Sequence, residues 1–400
     1  MKKNIIICLY DMEIGGIERS LINMLENFDY EHYNVDLLIF EHKGEFMKLI
    51  PKQVNILPEF SSYSVFRKPI AQCLKEGHFA TSIVRVLSKY ASIMKARKKK
   101  FKEGSAYIQM QLAIKYSSYI LPKLNKKYDL AISYAWPHDL VANNVSAYKK
   151  IAWIHTDYSK LEIDNKIDLL TWKKFDYIAS ISDECTKSFL SKYPSLEDRI
   201  ALIENISAPN FIIRMAREEI TNNEMNISSY KILSVGRYSY VKGFDLAIKA
   251  LRILHDKGLT NIKWFIIGYG GMESELKNLI QENNLLESFI LLGKKENPYP
   301  YMETCDLYVQ PSRYEGKAVT VTEAKILGKP ILITNYPTAK SQIEDGIEGI
   351  ICDLNPKDIA TKVEELYRNQ MLKDKLTKNI KNNNYSNINE LSKIYELIEN

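Results

Sequence analysis

The chain has 400 residues, of which 46% are hydrophobic and 26% charged, and it carries a net charge of +6 at neutral pH. This is an ordinary globular composition with material for two cores at roughly 100–200 residues each, and with no run of about 20 apolar residues no transmembrane helix is expected. The five cysteines (Cys8, Cys73, Cys185, Cys305 and Cys352) are scattered with no Cys-x-x-Cys pair, which excludes a disulfide framework and that type of zinc site and fits a reducing cytoplasm.

The first apolar run, Ile5–Leu9, follows two lysines, as a secretory leader would. It is too short for one, and Asp11 and Glu13 follow with no small-residue cleavage site, so it reads as a buried strand. Gly15-Gly16-Ile17-Glu18-Arg19 comes next, at a strand-to-helix turn. Glycines there let backbone N–H groups approach a ligand, and a helix start favours an anion. Val35–Phe40 is the second strand candidate. Residues 61–127 then break the rhythm as an insertion of two or three amphipathic helices, for example over Thr81–Lys95, where Ile83, Val84, Val86 and Leu87 share one side. The insertion holds 15 basic and 2 acidic side chains, a difference of +13. Anionic lipid head groups attract such a segment by roughly 1 kcal/mol per basic residue near the surface. A solvated helical surface is the alternative. Nucleic acid is not expected, because aromatic residues do not alternate with the basic ones and no nucleic-acid-binding signature occurs. Strands resume at Leu130–Ser133, Ile151–Ile154 and Tyr177–Ile181. The middle one runs into His155-Thr156-Asp157, where Asp157 is placed to orient His155 or to cap the next helix.

Residues 1–204 thus read as one domain. Residues 205–229 are polar and irregular, with Pro209 and Thr221-Asn222-Asn223-Glu224, and read as a linker. The alternation restarts at Ile232–Val235, Trp264–Ile267, Phe289–Leu292, Leu307–Gln310, Pro330–Thr334 and Gly349–Cys352, and helices follow over Lys357–Tyr367 and Leu372–Ile380. This second domain spans 230–385. A last amphipathic helix, Ile388–Ile398 within 386–400, is expected to pack back on the first domain. Apolar strands alternating with helices predict an α/β chain of doubly wound parallel sheets, which bind ligands beyond the carboxyl ends of their strands.

The second domain carries the motifs with the most chemistry. Gly236-Arg237 and Lys242-Gly243 put a guanidinium and an ammonium five residues apart, able to converge on a diphosphate. The dipole disfavours a cation at a helix start, which points to an anionic partner for Lys242. The stretch from Ser312 to Ala324 holds Glu315 in the loop after Leu307–Gln310 and Glu323 along a helix that begins near Ala318. Backbone N–H groups of Gly316, Lys317, Ala318 and Val319 are placed to hold phosphate while both carboxylates accept sugar hydroxyls. Gly328-Lys329-Pro330 then stops the helix and restarts a strand.

With Gly268-Tyr269-Gly270, Gly293 and Pro311-Ser312 in the same order, these motifs make most of residues 230–355 resemble the retaining GT-B-type glycosyltransferases of family four, glycosyl transferases group 1. The resemblance implies two facing Rossmann-like domains with a C-terminal helix, the first binding an acceptor and the second a nucleotide sugar. It implies that Arg237 and Lys242 grip the donor diphosphate, that Glu315 contacts the donor sugar and that Glu323 holds the ribose hydroxyls. In the first domain Gly15-Gly16 and Trp153–Asp157 match in position. His155 is then the residue lining the cleft near the reacting sugar, and Gly15 and Gly16 join Gly316, Lys317, Ala318 and Val319 in the donor-binding set. The family often has Phe-Pro after its Glu-Gly pair; Lys317-Ala318 stands here, a difference that falls on the sugar pocket.

The expected activity is transfer of a sugar from a nucleoside diphosphate, UDP first, with retention of configuration, to a lipid-linked or saccharide acceptor in surface-polysaccharide assembly. The expected setting is the cytoplasmic face of the membrane, reached through the basic insertion. No Asp-x-Asp occurs in the chain, so cationic side chains and helix dipoles rather than a metal or cofactor are expected to neutralise the departing diphosphate. Two alternatives stay open. A nicotinamide-dependent oxidoreductase shares the sheet type but would want the spaced Gly-x-Gly-x-x-Gly and a ribose-binding acid after the second strand. A non-catalytic partner subunit would keep the fold without turnover.

Overall fold

The computed structural model describes residues 2–99, 105–220 and 225–399. Lys100 in the lysine run and Thr221-Asn222-Asn223-Glu224 in the expected linker lie outside the described residues. The chain forms two compact units, Met1–Ile206 with Ile388–Asn400, and Ser207–Asn387.

The first unit is built on seven parallel strands: β1 (Lys3–Leu9), β2 (Tyr33–Ile39), β3 (Asn55–Ile56), β4 (Lys127–Ser133), β5 (Ser146–Ile154), β6 (Tyr177–Ser180) and β7 (Ile200–Leu202). Their order in the sheet is 3-2-1-4-5-6-7. Successive residues Ile5, Ile6 and Ile7 are all fully buried, because helices cover both faces of a parallel sheet. That is why these strands read as continuous apolar runs. The sequence reading missed β3 and β7: one has two exposed residues, the other three residues at the sheet edge.

The second unit has six parallel strands: β8 (Tyr230–Val235), β9 (Ile262–Ile267), β10 (Phe289–Gly293), β11 (Leu307–Gln310), β12 (Ile331–Thr334) and β13 (Ile350–Cys352), in the order 10-9-8-11-12-13. Trp264, Phe244, Leu251 and Ile359 belong to its buried core. Each sheet has one place where the strand order turns, between β1 and β4 in the first and between β8 and β11 in the second. Ligand crevices of doubly wound sheets open there, beyond the strand carboxyl ends.

The stretch read as an irregular linker contains a helix, Pro209–Ala216, that belongs to the second unit and buries Phe211, Ile212 and Met215. Pro209 fits at the first helical position, where no backbone N–H is needed. The helix Glu390–Glu399 belongs to the first unit. Its Tyr395 ring stacks on Tyr33 at 4.7 Å, its hydroxyl accepts the Asp29 N–H at 2.9 Å, and Glu390 accepts the Glu204 N–H at 2.9 Å.

The insertion folds as a 3₁₀ turn at Ser64–Phe66 and helices Ile70–Lys75, Phe79–Lys99 and Ala106–Ser117. Among the described residues, several of its basic side chains serve the fold. Arg85 and Lys115 are buried, and Arg67, Lys68, Lys95 and Lys126 pair with Asp11, Glu76, Asp164 and Asp36. The local charge excess therefore overstates what faces outward. No helix among the described residues is long and apolar enough to cross a membrane.

Candidate functional site

In the second unit the residues after β8 and those after β11 lie against each other at the turning point of the sheet. Gly243 makes this approach possible. It has φ +68, and a Cβ on it would sit 1.9 Å from the carbonyl oxygen of Pro311. Arg313 stitches the two loops together. Its N–H donates to the Val241 carbonyl (2.7 Å), its guanidinium donates to the Tyr240 carbonyl (2.7 Å) and lies over the Tyr240 ring, and it forks onto both oxygens of Asp245 at 2.7 Å each. Burial alone would raise the Asp245 carboxyl; the Arg313 fork outweighs it and holds the group below the usual carboxylate range.

This clamp brings Lys242 and Glu315 together. The ammonium donates to Glu315 Oε1 at 2.6 Å, and the same oxygen accepts from Ser312 Oγ (2.6 Å) and Gln310 Nε2 (3.1 Å). Gly236 leaves room for the lysine stem, since a Cβ there would meet Lys242 carbons at 3.2–3.4 Å. The anion that stabilises a cation near the start of helix Phe244–Asp256 is thus Glu315, inside the protein. Arg237 stands apart: it is exposed, and its guanidinium takes no ion pair or hydrogen bond among the described residues.

Glu315 is followed by the start of helix Val319–Ile326, with Ala318 as its N-cap. The loop is held from below by Thr338, whose hydroxyl donates to the Glu315 carbonyl at 2.9 Å. One of the four N–H groups assigned to phosphate is already used: Ala318 N–H donates to Gln342 Oε1 at 3.1 Å. Gly316, Lys317 and Val319 are half-buried beside it. Glu323 is fully buried one turn into the helix and accepts from the Tyr299 hydroxyl at 2.8 Å. Gln310 links the two halves of the motif, accepting from Thr320 Oγ1 (3.2 Å) while donating to Glu315. Sequence reading missed Tyr299, Gln310 and the Arg313–Asp245 fork, because each acts through a partner far along the chain or through a loop contact with no local pattern.

In the first unit Gly15 caps helix Gly16–Glu26 in an extended conformation, and a Cβ at Gly16 would meet nothing within 4 Å. Neither position needs glycine for its backbone. Glu18, in the first turn, reaches back beside Gly15, so that a Cβ there would collide with its carboxylate. His155 follows β5 and is half-buried. Its Nε2 is shielded and takes no hydrogen bond, and burial pushes the imidazole down to about 3, so it is neutral at pH 7. Tyr134 packs on it at 4.7 Å, and the Tyr134 hydroxyl meets Ser20 Oγ at 2.9 Å, which joins His155 to the helix that Gly15 opens. Asp157 caps the 3₁₀ turn Tyr158–Lys160 by accepting the Ser159 N–H at 2.9 Å.

Residues 216–386 match the family described as glycosyl transferases group 1. The second unit belongs to this family. Among curated relatives of these group 1 glycosyltransferases, an uncharacterised glycosyltransferase of Methanocaldococcus jannaschii is 27% identical over 212 residues, 51% of each chain. The N-acetylgalactosamine-N,N'-diacetylbacillosaminyl-diphospho-undecaprenol 4-alpha-N-acetylgalactosaminyltransferase of Campylobacter jejuni is 32% identical over 152 residues, 38% of this chain and 40% of its own. The matched stretches span about half of these relatives or less. The Anabaena HepE structure in complex with UDP and glucose aligns over 99% of both chains with a TM-score of 0.69 and 13% identity. That likeness is one of fold and extends to both units. The fold is GT-B.

Proposed function

We propose that this chain transfers a sugar from a UDP-sugar, with retention, to a lipid-linked or saccharide acceptor in polysaccharide assembly. The Lys242–Glu315 contact carries the reading, because it puts a cation for phosphate and an acid for sugar hydroxyls side by side at the turning point of the second sheet. In this reading Arg237 and Lys242 hold the diphosphate, with the start of helix Val319–Ile326 and the N–H groups of Gly316, Lys317 and Val319 completing the cradle. Glu323 takes the ribose hydroxyls. Charge-assisted hydrogen bonds contribute roughly 1.5–3 kcal/mol each, and here they strengthen as the diphosphate departs.

Glu315 accepts three donors through one oxygen, which makes it a poor nucleophile. The acceptor hydroxyl is therefore taken to attack from the leaving-group side, with a donor phosphate oxygen receiving its proton. The first unit holds the acceptor, with His155 and Gly15-Gly16 as its proposed substrate-binding residues. The name of the Campylobacter relative specifies a diphospho-undecaprenol-linked acceptor, and the Anabaena neighbour binds UDP and glucose; both support these substrate classes. On this reading the chain works on such an acceptor at the cytoplasmic face of a membrane. Neither metal nor cofactor takes part, so turnover persists in a chelator.

Turnover of a panel of UDP-sugars by the purified chain tests this. Arg237→Ala and Glu323→Ala are each expected to lower transfer by about 100-fold or more with the fold retained. Full activity in both variants sinks the site assignment, and a folded wild-type chain that turns over no donor favours the partner-subunit alternative.

A further inference from the structure

Helix Phe79–Lys99 is inside out. Its buried residues are Thr81, Ser82, Arg85, Ser88, Ser92 and Ala96, all small or polar. Its exposed residues include Phe79, Ile83, Val86, Leu87, Tyr90 and Met94, six large apolar side chains with exposures from 38% at Val86 to 68% at Met94. A surface helix ordinarily does the reverse. The outward residues recur every three or four positions, so they form one stripe, roughly 22 Å long at 1.5 Å per residue. The orientation is pinned. Arg85 reaches inward to the carbonyls of Val65 (2.6 Å) and Lys68 (2.7 Å), and rotating the helix to bury the stripe would strand that guanidinium's partners. Leu87 also borders an apolar groove of about 270 Å³ with Val84, Ala91, Leu112 and Tyr116, which widens the apolar surface onto the next helix.

We propose that this helix lies in the head-group boundary of an anionic bilayer, with the stripe among the acyl chains. Large contiguous apolar surface marks a partner, and the charges beside it select which. The helix has no acidic residue, while Lys89, Arg97 and Lys98 are exposed on it. Lysine is depleted from the cores of protein interfaces, whereas an apolar face bordered by cations suits anionic lipid. The aliphatic stems of such cations can lie along the apolar surface with their heads at the phosphates. This deepens the membrane-surface reading above and changes its main force from charge to apolar insertion.

Co-sedimentation of the full chain with phosphatidylcholine–phosphatidylglycerol vesicles decides it, at about 0.1 M and 1 M salt. Wild type is expected to bind at both. The double variant Ile83→Asp/Met94→Asp, at two exposed positions, is expected to lose at least about tenfold in partitioning with its thermal unfolding and its UDP affinity unchanged. Should the aspartates disturb folding, Ile83→Ser/Met94→Ser carries the same expectation. Wild type that does not bind, variant binding equal to wild type, or binding that vanishes at 1 M salt each overturns the proposal. So does a wild-type dimer that the variant dissociates, since a second copy then covers the stripe. UDP affinity, read without vesicles, reports on the glycosyl-transfer reading separately.

Discussion

His138 and His155 follow β4 and β5 of the first sheet, and each keeps a shielded Nε2 with no hydrogen-bond partner. Burial pushes both imidazoles down to about 3, and for His138 the neighbouring His155 adds to the effect. An unfolded histidine takes its proton near 6.5, so between that value and about 3 the unfolded chain binds protons that the folded chain refuses. Stability from these two groups is therefore complete above pH 6.5 and falls as pH drops below it, by up to about 1.4 kcal/mol per pH unit for each. NMR titration is expected to show both rings neutral down to about pH 4. A midpoint near 6.5 for His155 would contradict the shielding. At this scale, legibility followed sequence distance. Glu315 and Glu323 share one short stretch and could be read together. The Asp245 partner of Arg313 lies 68 residues away, and the Tyr299 partner of Glu323 lies 24 away. No local spacing encodes either.

The loops after β8 and β11 act as one clamp, and its hinge is the left-handed Gly243. Gly243→Ala keeps the chemistry of every donor but adds a Cβ that collides with the Pro311 carbonyl. The strained backbone is worth roughly 1–3 kcal/mol. Denaturant unfolding is expected to show a loss of that size, and UDP binding is expected to weaken, because Lys242 and Glu315 are carried by the two loops that part. Unchanged stability and affinity would mean that the clamp does not set the site. Among regular elements, buried parallel strands were legible as apolar runs, the three-residue β13 included, while β3 and β7 have no fully buried residue and left none. Helix Phe79–Lys99 shows a different limit. Its periodicity revealed an apolar side but not which way that side faces; Arg85 and its carbonyl partners decide that, and they lie outside the helix's own pattern. In the same way Pro209 looked like a break and is a helix start.

Across the whole molecule, two sheets repeat one plan, and in each the strand order turns beside the motifs singled out from sequence: Gly15-Gly16 after β1, Gly236-Arg237 after β8 and the Glu315 loop after β11. That much was legible because doubly wound sheets use strand types that announce themselves. The division of the chain was legible less sharply, since the first unit regains residues 388–400 only through long-range contacts such as Tyr395 on Tyr33. Cationic groups that hold a nucleoside diphosphate beside two sugar-binding acids are the centre of the functional account. A crystal structure of the chain with UDP tests it most directly. The account predicts diphosphate oxygens within hydrogen-bond reach of both Arg237 and Lys242, with the ribose hydroxyls on Glu323; UDP bound away from all three residues would contradict it.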